Sequence, residues 1–303
     1  MERYLLGFSL LLYSISIHAQ RSRFHYQQPK IGTQVQLIFY APDSLIANQL
    51  ATQAFARIDS LNLVFSDYLP NSEISQLSAT AGQDTCVRLS DEIWEVLHFS
   101  QQVSRQTNGH FDATIGSLSK LWRKMFYKQE FIGGVKLKHN KNLVNYNWLQ
   151  LDKNEQCACL KKKGMRLDAG GLAKGYIVDE VFELFEAAGI TQLLIDAGGD
   201  IRVGDSPPDS EGWKIERLFG ISTLTNVAVA TSGDTYRYLE WKGKRYSHII
   251  NPKTGYGVQN APKVSVTATT AMCADAYASA FSVLAERKSR RLARRLGLGL
   301  EMK

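Results

Sequence analysis

The sequence predicts a mixed α+β fold in which helices and strands follow one another without the regular alternation of a barrel. Three observations support this prediction: runs of apolar residues at helical spacing, short apolar runs typical of strands, and glycine-containing turns between them. Hydrophobic residues make up 44% of the chain and charged residues 21%, which is typical of a globular protein. With 303 residues the chain can bury a large core, as one domain or as two lobes.

The N-terminal stretch MERYLLGFSLLLYSISIHAQ predicts a secretory signal peptide over residues 1–19. Arg3 supplies the positive charge, residues 5–17 form the apolar core, and residues 17–19 offer a cleavage site. This core is too short to span a membrane comfortably, and no cysteine lies near the cleavage point to carry a lipid anchor. We therefore expect residues 20–303 to form an exported, soluble protein, in the periplasm or at the outer face of the cytoplasmic membrane.

Helix start signals divide the chain into regular elements. Asp43, Ser72 and Ser90 each precede a predicted helix, and the first and third helices extend to about Phe65 and Thr107. Two further helices are predicted later in the chain, at residues 177–188 and 270–285.

Short apolar runs between these helices predict the strands. The runs lie at residues 35–40, 144–152, 157–162, 193–197 and 265–268, with hairpin-like strands between 227 and 258. Turns are expected at 232–234 and 242–243, and Gly116 is expected to break the chain before a short apolar segment. The stretch RSRFHYQQPK at 21–30 is polar and without a pattern, so we predict no element there.

The net charge of +7 favours anionic ligands in general but does not identify one. Much of the positive charge lies in RKSRRLARR at 287–295, which we interpret as the solvated face of a helix near the C-terminus. No aromatic residues alternate with these cations, and the sequence contains no known nucleic-acid-binding motif. We therefore expect no nucleic acid among the partners.

Four cysteines, Cys86, Cys157, Cys159 and Cys273, leave two interpretations open. Some of them could pair in an oxidising compartment. Cys157 and Cys159 lie two apart in a predicted strand and share a face, so they are poorly placed to bridge each other. Because no histidine cluster gives them zinc-site spacing, we expect the cysteines to be small, half-buried residues.

The segment LDAGGLAKGYIVD at 167–179 places a glycine turn before an apolar, helix-like run. Its glycines fit neither the dinucleotide-binding nor the P-loop spacing, but a glycine turn at a helix start lets a ligand approach the backbone and directs N–H groups at an anion. Lys174 adds a positive charge inside the helix, and Asp168 could accept hydrogen bonds or bind a metal. The alternative is a helix cap without a ligand.

A second such turn, in LLIDAGGDI at 193–201, closes a strand, and we expect it, with Asp200, to shape the strand end. Further along, Asp275 and Ser279 lie four apart within a predicted helix, so their side chains share one face. A carboxylate and a hydroxyl are hard oxygen ligands of the kind that Mg²⁺ accepts. The alternative for Asp275 is a charge that stabilises the N-terminus of its helix.

Together these segments resemble the ApbE-like flavin transferase family, the FAD:protein FMN transferases. The matching blocks, in the family's order, are IGT at 31–33, SDYLPNSEISQL at 66–77, FDATIG at 111–116, LDAGGLAKGYIVD at 167–179, and the run from ATSGD at 230–234 through the ADAYAS helix. The resemblance extends from residue 31 to about residue 285.

The resemblance implies a two-lobed fold, with lobes at roughly 31–165 and 166–303 and an FAD site in the cleft between them. It implies an exported, Mg²⁺-dependent enzyme that cleaves the pyrophosphate of FAD, releases AMP and attaches FMN through a phosphoester to a threonine. The acceptor would be a partner protein, such as an FMN-binding domain or a membrane redox subunit.

The resemblance also implies roles for individual residues. The residues that it places around FAD are Ile31, Tyr68, Phe111, Asp112, Asp168, Lys174 and Ile249. The residues that it places at the metal are Asp275, Ser279, and Gly171 and Ala278 through their carbonyls.

His248 borders the flavin in this resemblance and is our candidate for the base that deprotonates the attacking hydroxyl. An unperturbed imidazole titrates near neutrality, which suits this role. The alternative for His248 is a hydrogen bond to the turn at Asn251-Pro252. Asp112 is then the next candidate base.

The sequence departs from the family pattern at several positions. Ile31 stands where the family usually has Met, Ser279 where Thr is common, and Asn251 where Asp is common. WKIERLFG at 213–220 lacks the usual Gly-Ile-x-x-Pro strand. RLGLGLEMK at 295–303 is expected to supply only part of the last edge of the C-terminal sheet.

Two other functions stay open at this level. With water as the nucleophile, the same site would make a Mg²⁺-dependent FAD pyrophosphatase that gives FMN and AMP. A protein of a different class would store or deliver FAD without chemistry. The Asp275–Ser279 pair argues against the latter, because a pure binder needs no metal.

Overall fold

A computed structural model describes residues 21–233 and 238–303. The helices are α1 (Ser44–Phe65), α2 (Glu73–Ala79), α3 (Asp91–Gln106), α4 (Gly116–Lys128), α5 (Gly134–Lys141), α6 (Ala173–Ala187), α7 (Ala271–Phe281) and α8 (Glu286–Leu296), with a 3₁₀ turn at Tyr146–Trp148. The strands are β1 (Ser22–Lys30), β2 (Thr33–Ala41), β3 (Val87–Arg88), β4 (Leu149–Asp152), β5 (Cys157–Leu160), β6 (Leu193–Ala197), β7 (Asp200–Val203), β8 (Trp213–Arg217), β9 (Gly220–Leu224), β10 (Val227–Ser232), β11 (Tyr238–Trp241), β12 (Lys244–Ser247), β13 (Val264–Ala268) and β14 (Gly299–Met302). The fold is mixed α+β, as the sequence predicts.

The largest sheet is antiparallel throughout and has the strand order β1-β2-β6-β7-β10-β13-β14. Its first hairpin closes through the two-residue turn Ile31-Gly32, in which both residues have positive φ, 46° and 79°. Such turns match the twist of the paired strands. A β-branched residue with positive φ is strained, so the Ile31 backbone is held in place by the pairing on either side of it.

The main core lies between one face of this sheet and a layer of helices. Alternate residues of β2 point into it, and Leu37 and Phe39 are fully buried. The Phe39 ring packs on Phe185 of α6, with ring centroids 4.6 Å apart. Because α6 also contacts α1 and α7, one hydrophobic cluster extends from β2 to β14. The hairpin β8–β9 covers part of the opposite face through Trp213 and Ile215.

A smaller cluster of buried residues joins α4, α5 and the hairpin β11–β12. At its centre is Trp122, whose indole N–H donates a hydrogen bond to the Gly255 carbonyl at 2.8 Å. The hairpin closes through the predicted turn at Lys242-Gly243, where both residues have positive φ. We call this unit, residues 116–141 and 238–256, the α4–hairpin module.

Most predicted elements are confirmed. Asp43, Ser72, Ser90 and Thr270 cap α1, α2, α3 and α7, each accepting a hydrogen bond from the N–H three residues later. The strands predicted at 35–40, 193–197 and 265–268 lie within β2, β6 and β13, and the strand predicted at 157–162 contains β5. α6 begins at Ala173, before the predicted start at 177.

Three local predictions are wrong. The polar stretch at 21–30 contains β1, because a largely exposed edge strand needs backbone pairing with β2 and not an apolar pattern. Gly116 begins α4 and does not break the chain, and a Cβ at this position would lie 2.5 Å from the Leu167 carbonyl oxygen. Within the strand predicted at 144–152, residues 146–148 form a 3₁₀ turn before β4.

Some expectations lie at the limits of the described residues. The predicted signal peptide at 1–19 and Asp234 of the turn predicted at 232–234 lie outside them. No helix within 21–233 and 238–303 has the length and apolar character needed to cross a membrane. At the other end, β14 pairs with β13 and forms an edge of the main sheet. The division into lobes near residue 165 stays a prediction. Strands from both sides of residue 165 pair in the main sheet.

Cys86 and Cys159 form a disulfide at the end of the β3–β5 ladder. The expectation that all four cysteines are single, half-buried residues is therefore wrong for this pair, while Cys157 and Cys273 are free and half-buried. The two bonded cysteines are 73 residues apart. Their meeting depends on the pairing of β3 with β5, which the sequence pattern does not reveal.

We expect Cys86→Ser to lower the free energy of unfolding by about 2–4 kcal/mol, because the disulfide restricts the unfolded chain across a long loop. Urea unfolding under non-reducing conditions measures this change. Cys157→Ser, in the same sheet but outside the bond, should change the free energy by less than about 0.5 kcal/mol. Equal losses in the two variants would contradict a stabilising role for the disulfide.

Candidate ligand-binding site

A cavity of about 940 Å³ lies where the start of α6, one face of α7, the turns after β1 and β6, and the α4–hairpin module meet. Of the twelve predicted site residues, eleven line it: Ile31, Tyr68, Phe111, Asp112, Asp168, Gly171, Lys174, His248, Ile249, Asp275 and Ser279. Ala278 is buried within α7 and is not part of the lining. The fold therefore brings together residues that are scattered through the chain.

The two Asp-Ala-Gly-Gly segments meet at an ion pair. In the first, Asp168 Oδ1 accepts a hydrogen bond from the Gly170 N–H at 2.8 Å, and the chain then enters α6. In the second, Gly198 and Gly199 form the turn between β6 and β7. Lys174 in the first turn of α6 pairs with Asp200, which directly follows the second turn. The second segment thus shapes a strand end, as expected, and also anchors the predicted site lysine.

α7 directs Asp275 and Ser279 into the cavity, as their spacing predicts. Asp275 Oδ2 accepts a hydrogen bond from the Gly175 N–H at 3.2 Å. A Cβ added to Gly171 would lie 3.1 Å from Ser279 Oγ, so the main chain at Gly171 closely approaches this hydroxyl. Burial, together with the nearby Asp200 charge, raises the pKa of the Asp275 carboxyl to about 7.

The donor set at this point suits a hard divalent cation. Asp275 offers a carboxylate that is only 6% exposed, Ser279 offers a hydroxyl, and Gly171 offers its main chain. No group of three or more His, Cys, Asp or Glu side chains is arranged to hold a metal within the part of the chain that the structure describes. A cation bound here would complete its shell with water and ligand oxygens, which is the coordination that Mg²⁺ commonly keeps.

The Ala278 carbonyl is the least accessible of the predicted metal ligands. It already accepts two hydrogen bonds from Ser282, one from the N–H at 3.1 Å and one from the hydroxyl at 2.9 Å. A carbonyl oxygen has two lone pairs, so coordination of a metal would require displacement of the Ser282 hydroxyl. Its role as a ligand stays a prediction.

A buried carboxylate that sequence reasoning did not single out fixes α7 against α6. Asp179 of α6 accepts hydrogen bonds from the N–H groups of Ala271 and Met272, each at 2.8 Å. These donors belong to the first turn of α7, where no helical carbonyl can pair with them. Arg202 of β7 forms an ion pair with the same carboxylate at 2.8 Å. A Cβ added to Gly175 would lie 2.2 Å from the Ala271 carbonyl oxygen, so the two helices pack backbone to backbone.

The opposite wall of the cavity carries a charged cluster. Arg123 of α4 pairs with both carboxylate oxygens of Asp67, and its guanidinium carbon lies 4.2 Å from the centroid of the Tyr68 ring. Burial and the Asp67 charge raise the pKa of the neighbouring Asp168 carboxyl. Tyr68 is 71% exposed, so much of its ring surface is available to stack on a planar ligand.

The loop before α4 is held by Asp112. This carboxylate is buried and accepts hydrogen bonds from the Thr114 N–H and hydroxyl at 2.8 and 2.7 Å, and from the Tyr146 N–H at 2.9 Å. Burial raises its pKa. The preceding Phe111 packs against Gly171, where an added Cβ would lie 3.1 Å from the ring. The predicted contacts of Phe111 and Asp112 with FAD stay predictions.

Two histidines line the cavity, and sequence reasoning found only one of them. His248, the predicted base, is exposed and follows β12. His110 directs Nδ1 toward the Thr107 carbonyl oxygen at 2.8 Å. Because a carbonyl can only accept, Nδ1 of His110 carries the proton, and Nε2 of the neutral ring is left as a proton acceptor. His110 is therefore a second candidate base.

The turn beside His248 is closed by its own backbone. The Asn251 N–H donates to the Tyr256 carbonyl, and the Asn251 carbonyl accepts from the Gly255 N–H, both at 2.8 Å. Ile249 is half-buried beside this turn. The predicted roles of His248 and Ile249 stay predictions.

Sequence reasoning also missed the wall formed by α4. Ser119, Trp122, Arg123 and Phe126 line the cavity at the i, i+3, i+4, i+7 spacing of one helix face. This signal is present in the sequence, but the interpretation of Gly116 as a chain break conceals it. The Asp179–Arg202 pair left no such signal, because its partners come together only in the fold.

The structure combines an antiparallel sheet and a helix layer with a large cavity lined by aromatic rings, carboxylates and hard oxygen donors. The model of the ApbE family matches residues 31–302. The chain belongs to the ApbE family, as its sequence blocks predict.

Relatives with this fold are flavin transferases. The chain is 28% identical to the FAD:protein FMN transferase of Haemophilus influenzae over 89% of this chain and 83% of the relative. The corresponding protein of Klebsiella pneumoniae is 27% identical over 84% of this chain and 80% of the relative. The crystal structure of Pseudomonas stutzeri flavinyl transferase ApbE in its apo form has a TM-score of 0.82 and 26% identity, covering 93% of this chain and 91% of the other. The mixed fold is therefore confirmed.

We expect Asp179→Ala to lower the free energy of unfolding by about 3 kcal/mol, because it leaves two N–H groups of α7 and the half-buried Arg202 without their partner. Exchange of the Ala271 and Met272 amide hydrogens should accelerate, since both lose their acceptor. Urea unfolding and hydrogen exchange followed by NMR measure the two effects.

Ser90→Ala is a matched control, because it removes the cap of α3, which carries no residue of the cavity. It should cost about 1 kcal/mol and leave exchange at the start of α7 unchanged. Unaltered exchange at Ala271 and Met272 in Asp179→Ala would show that the carboxylate does not hold this turn.

Proposed function

We propose that this protein is an exported, Mg²⁺-dependent FAD:protein FMN transferase that modifies a threonine of an acceptor protein. The observation that carries the proposal is the convergence of the predicted flavin and metal residues on one cavity, in a chain of the ApbE family. The names of the Haemophilus influenzae and Klebsiella pneumoniae relatives support the reaction. Export is inferred from the signal-peptide pattern of residues 1–19.

The cavity has the size and the surfaces that FAD needs. Its volume of about 940 Å³ lies near the top of the range of about 300–1,000 Å³ for small-molecule sites. Tyr68 and Phe111 offer aromatic surface to the flavin ring, and the glycine turn at Asp168 offers polar groups at another part of the cavity. Such a distribution matches a ligand with a planar end and a polar nucleotide end.

The charges of the lining favour a bound cation. Among the residues that the structure describes, five aspartates line the cavity, against one arginine and one lysine: Asp67, Asp112, Asp168, Asp200 and Asp275, with Arg123 and Lys174. The pyrophosphate of FAD brings further negative charge into this site. A Mg²⁺ ion held by Asp275, Ser279 and the Gly171 main chain would supply positive charge and stabilise the charge that develops on the departing phosphate.

The side chains of the protein would orient FAD and handle the proton. Asp200 holds Lys174 beside Asp275, and Asp179 fixes the helix that carries Asp275. His248 would accept the proton of the threonine hydroxyl. The hydroxyl oxygen attacks the phosphorus of the FMN half, the bond from this phosphorus to the bridging oxygen breaks, and that oxygen leaves with AMP.

The test is incubation of the purified protein with FAD, Mg²⁺ and an acceptor domain that contains a threonine. Transfer predicts AMP and flavinylated protein in equal amounts, measured by chromatography and intact-protein mass spectrometry. Formation of AMP with free FMN, irrespective of the acceptor, would assign the protein as an FAD pyrophosphatase. Binding of FAD without AMP release would assign it as a flavin carrier.

Asp275→Ala should reduce AMP release by more than about a hundredfold, because even the outer-shell partners of metal ligands contribute roughly 10–100-fold. Affinity for FAD, measured by flavin fluorescence in EDTA, should change much less, since the carboxylate is assigned to the metal. Turnover across a Mg²⁺ titration measures the loss.

Ser279→Ala removes a second predicted ligand of the same metal site. Its effect should be smaller, because water can replace one neutral ligand of a hydrated ion. Full activity of Asp275→Ala at all Mg²⁺ concentrations would disprove the metal assignment.

His248→Ala should lower the rate of the chemical step by about a hundredfold, the usual scale for a positioned general base. The wild-type rate should fall on acidification, because a protonated ring cannot accept a proton. Single-turnover kinetics separate this step from FAD binding.

Comparison with His110→Ala locates the base. A comparable loss in His110→Ala alone, with His248→Ala at the wild-type rate, would assign the base to His110. Wild-type rates in both variants would direct attention to Asp112.

A further inference from the structure

The positive charge of this protein is concentrated in the α4–hairpin module. Residues 116–141 and 238–256 contain eleven Lys and Arg against two Glu, a net charge of +9. Because the whole chain carries +7, the remainder is net −2. A module that forms one wall of an acidic cavity therefore carries more net positive charge than the whole chain.

The outer face of α4 carries a stripe of lysines. Lys120, Lys124 and Lys128 lie at i, i+4 and i+8, so they share one helix face. All three are exposed, and none takes part in an ion pair with another described residue. On the adjacent face of the same helix, Ser119 and Arg123 line the cavity. The stripe thus runs beside the cavity without entering it.

A second group of lysines lies near the turn beside His248. Pro252 of this turn lines the cavity, and the exposed Lys253 follows it. Lys141 at the end of α5 packs against the same turn, where a Cβ added to Gly255 would lie 3.2 Å from the Lys141 Cβ. Cations therefore flank the cavity on both the α4 side and the turn side.

Large apolar side chains are exposed among these lysines. Tyr127 of α4 is 91% exposed and Val135 of α5 is 86% exposed. Tyrosine surrounded by a polar rim is typical of surfaces that bind proteins, where it contributes much of the contact energy.

We propose that the outer face of the α4–hairpin module is the docking surface for the acceptor protein, and that the acceptor is acidic around its modified threonine. The inference rests on the proposed function, because an acceptor that brings a threonine hydroxyl to FAD must cover the mouth of the cavity. The lysines lie outside the cavity lining, on the helix face adjacent to the one that carries Ser119 and Arg123. Complementary charge would increase the rate of encounter and set the orientation.

The test is a double charge reversal, Lys124→Glu with Lys128→Glu, on the full chain. The matched control is Arg291→Glu with Arg294→Glu in α8, which has the same change in charge on an exposed basic helix that contributes nothing to the cavity lining. The probes are two peptides of equal length, each with a single threonine, flanked by glutamates in one and by lysines in the other.

The wild-type protein should bind and flavinylate the glutamate-flanked peptide in preference to the other. Charge reversal on α4 should lower kcat/KM for this peptide by about tenfold or more at low salt, within the range of electrostatic steering. The KM for FAD should stay near its wild-type value, and added salt should reduce the difference between the proteins. The α8 variant should behave like the wild type.

Three outcomes would overturn the proposal. One is equal loss in the α4 and α8 variants, which would indicate a general charge effect. Another is a rise in the KM for FAD as large as the loss on the peptide, which would make the lysines a steering device for FAD. The third is unchanged peptide kinetics together with lost binding to phosphatidylglycerol vesicles, measured by cosedimentation, which would assign the surface to a membrane.

Fluorescence anisotropy of the labelled peptides, without FAD, separates this proposal from the proposed function. Selective binding of the glutamate-flanked peptide without any AMP release would refute the transferase reaction and leave the docking surface standing. Transfer of FMN with no preference between the peptides would refute the docking surface and leave the transferase reaction standing.

Discussion

The site depends on one close approach, that of α6 to α7 at Gly175. The absence of a side chain lets the α7 backbone reach within a distance that any Cβ would prevent. The Gly175 N–H then reaches Asp275, and the adjacent Lys174 reaches Asp200. One turn later, Asp179 binds the free N–H groups of α7. The start of α7, the Asp275 carboxylate and the Lys174 side chain are therefore positioned around a single backbone contact.

The charged side chains inside the cavity are mostly acidic, whereas those on the surface beside it are mostly basic. Burial raises the pKa values of Asp112, Asp168, Asp200 and Asp275, because desolvation disfavours a charged carboxylate. Such a cluster is costly unless a cation or a protonated partner accompanies it. Outside, the α4–hairpin module carries exposed lysines, among them Lys120, Lys124 and Lys128, whose charges stay hydrated and cost little. An acidic interior thus favours a bound cation, while the basic surface favours a negatively charged partner.

The sequence predicts features that depend on a few neighbouring residues better than features that depend on long-range pairing. Helix caps at Asp43 and Ser90 and the spacing of Asp275 and Ser279 are encoded within a few residues, and they were predicted. β1 was missed because its stability comes from pairing with β2 and not from its own polar sequence. The disulfide was missed for the same reason. The resemblance, whose blocks lie far apart in sequence, names eleven residues that the fold places around one cavity, whereas the α4 wall was missed because Gly116 was interpreted as a break.

Two separate hydrophobic clusters support the two sides of the cavity. The main core holds α6 and α7, and with them Gly171, Asp275 and Ser279. The smaller core around Trp122 holds α4 and the hairpin. Across the cavity, the Asp67–Arg123 pair joins the loop after α1 to the module, and its side chains are partly exposed. Because the pair is bidentate, it fixes the orientation of this loop against α4. The proposed metal ligands are thus held by the main core, and the proposed docking surface rests on the smaller core beside it.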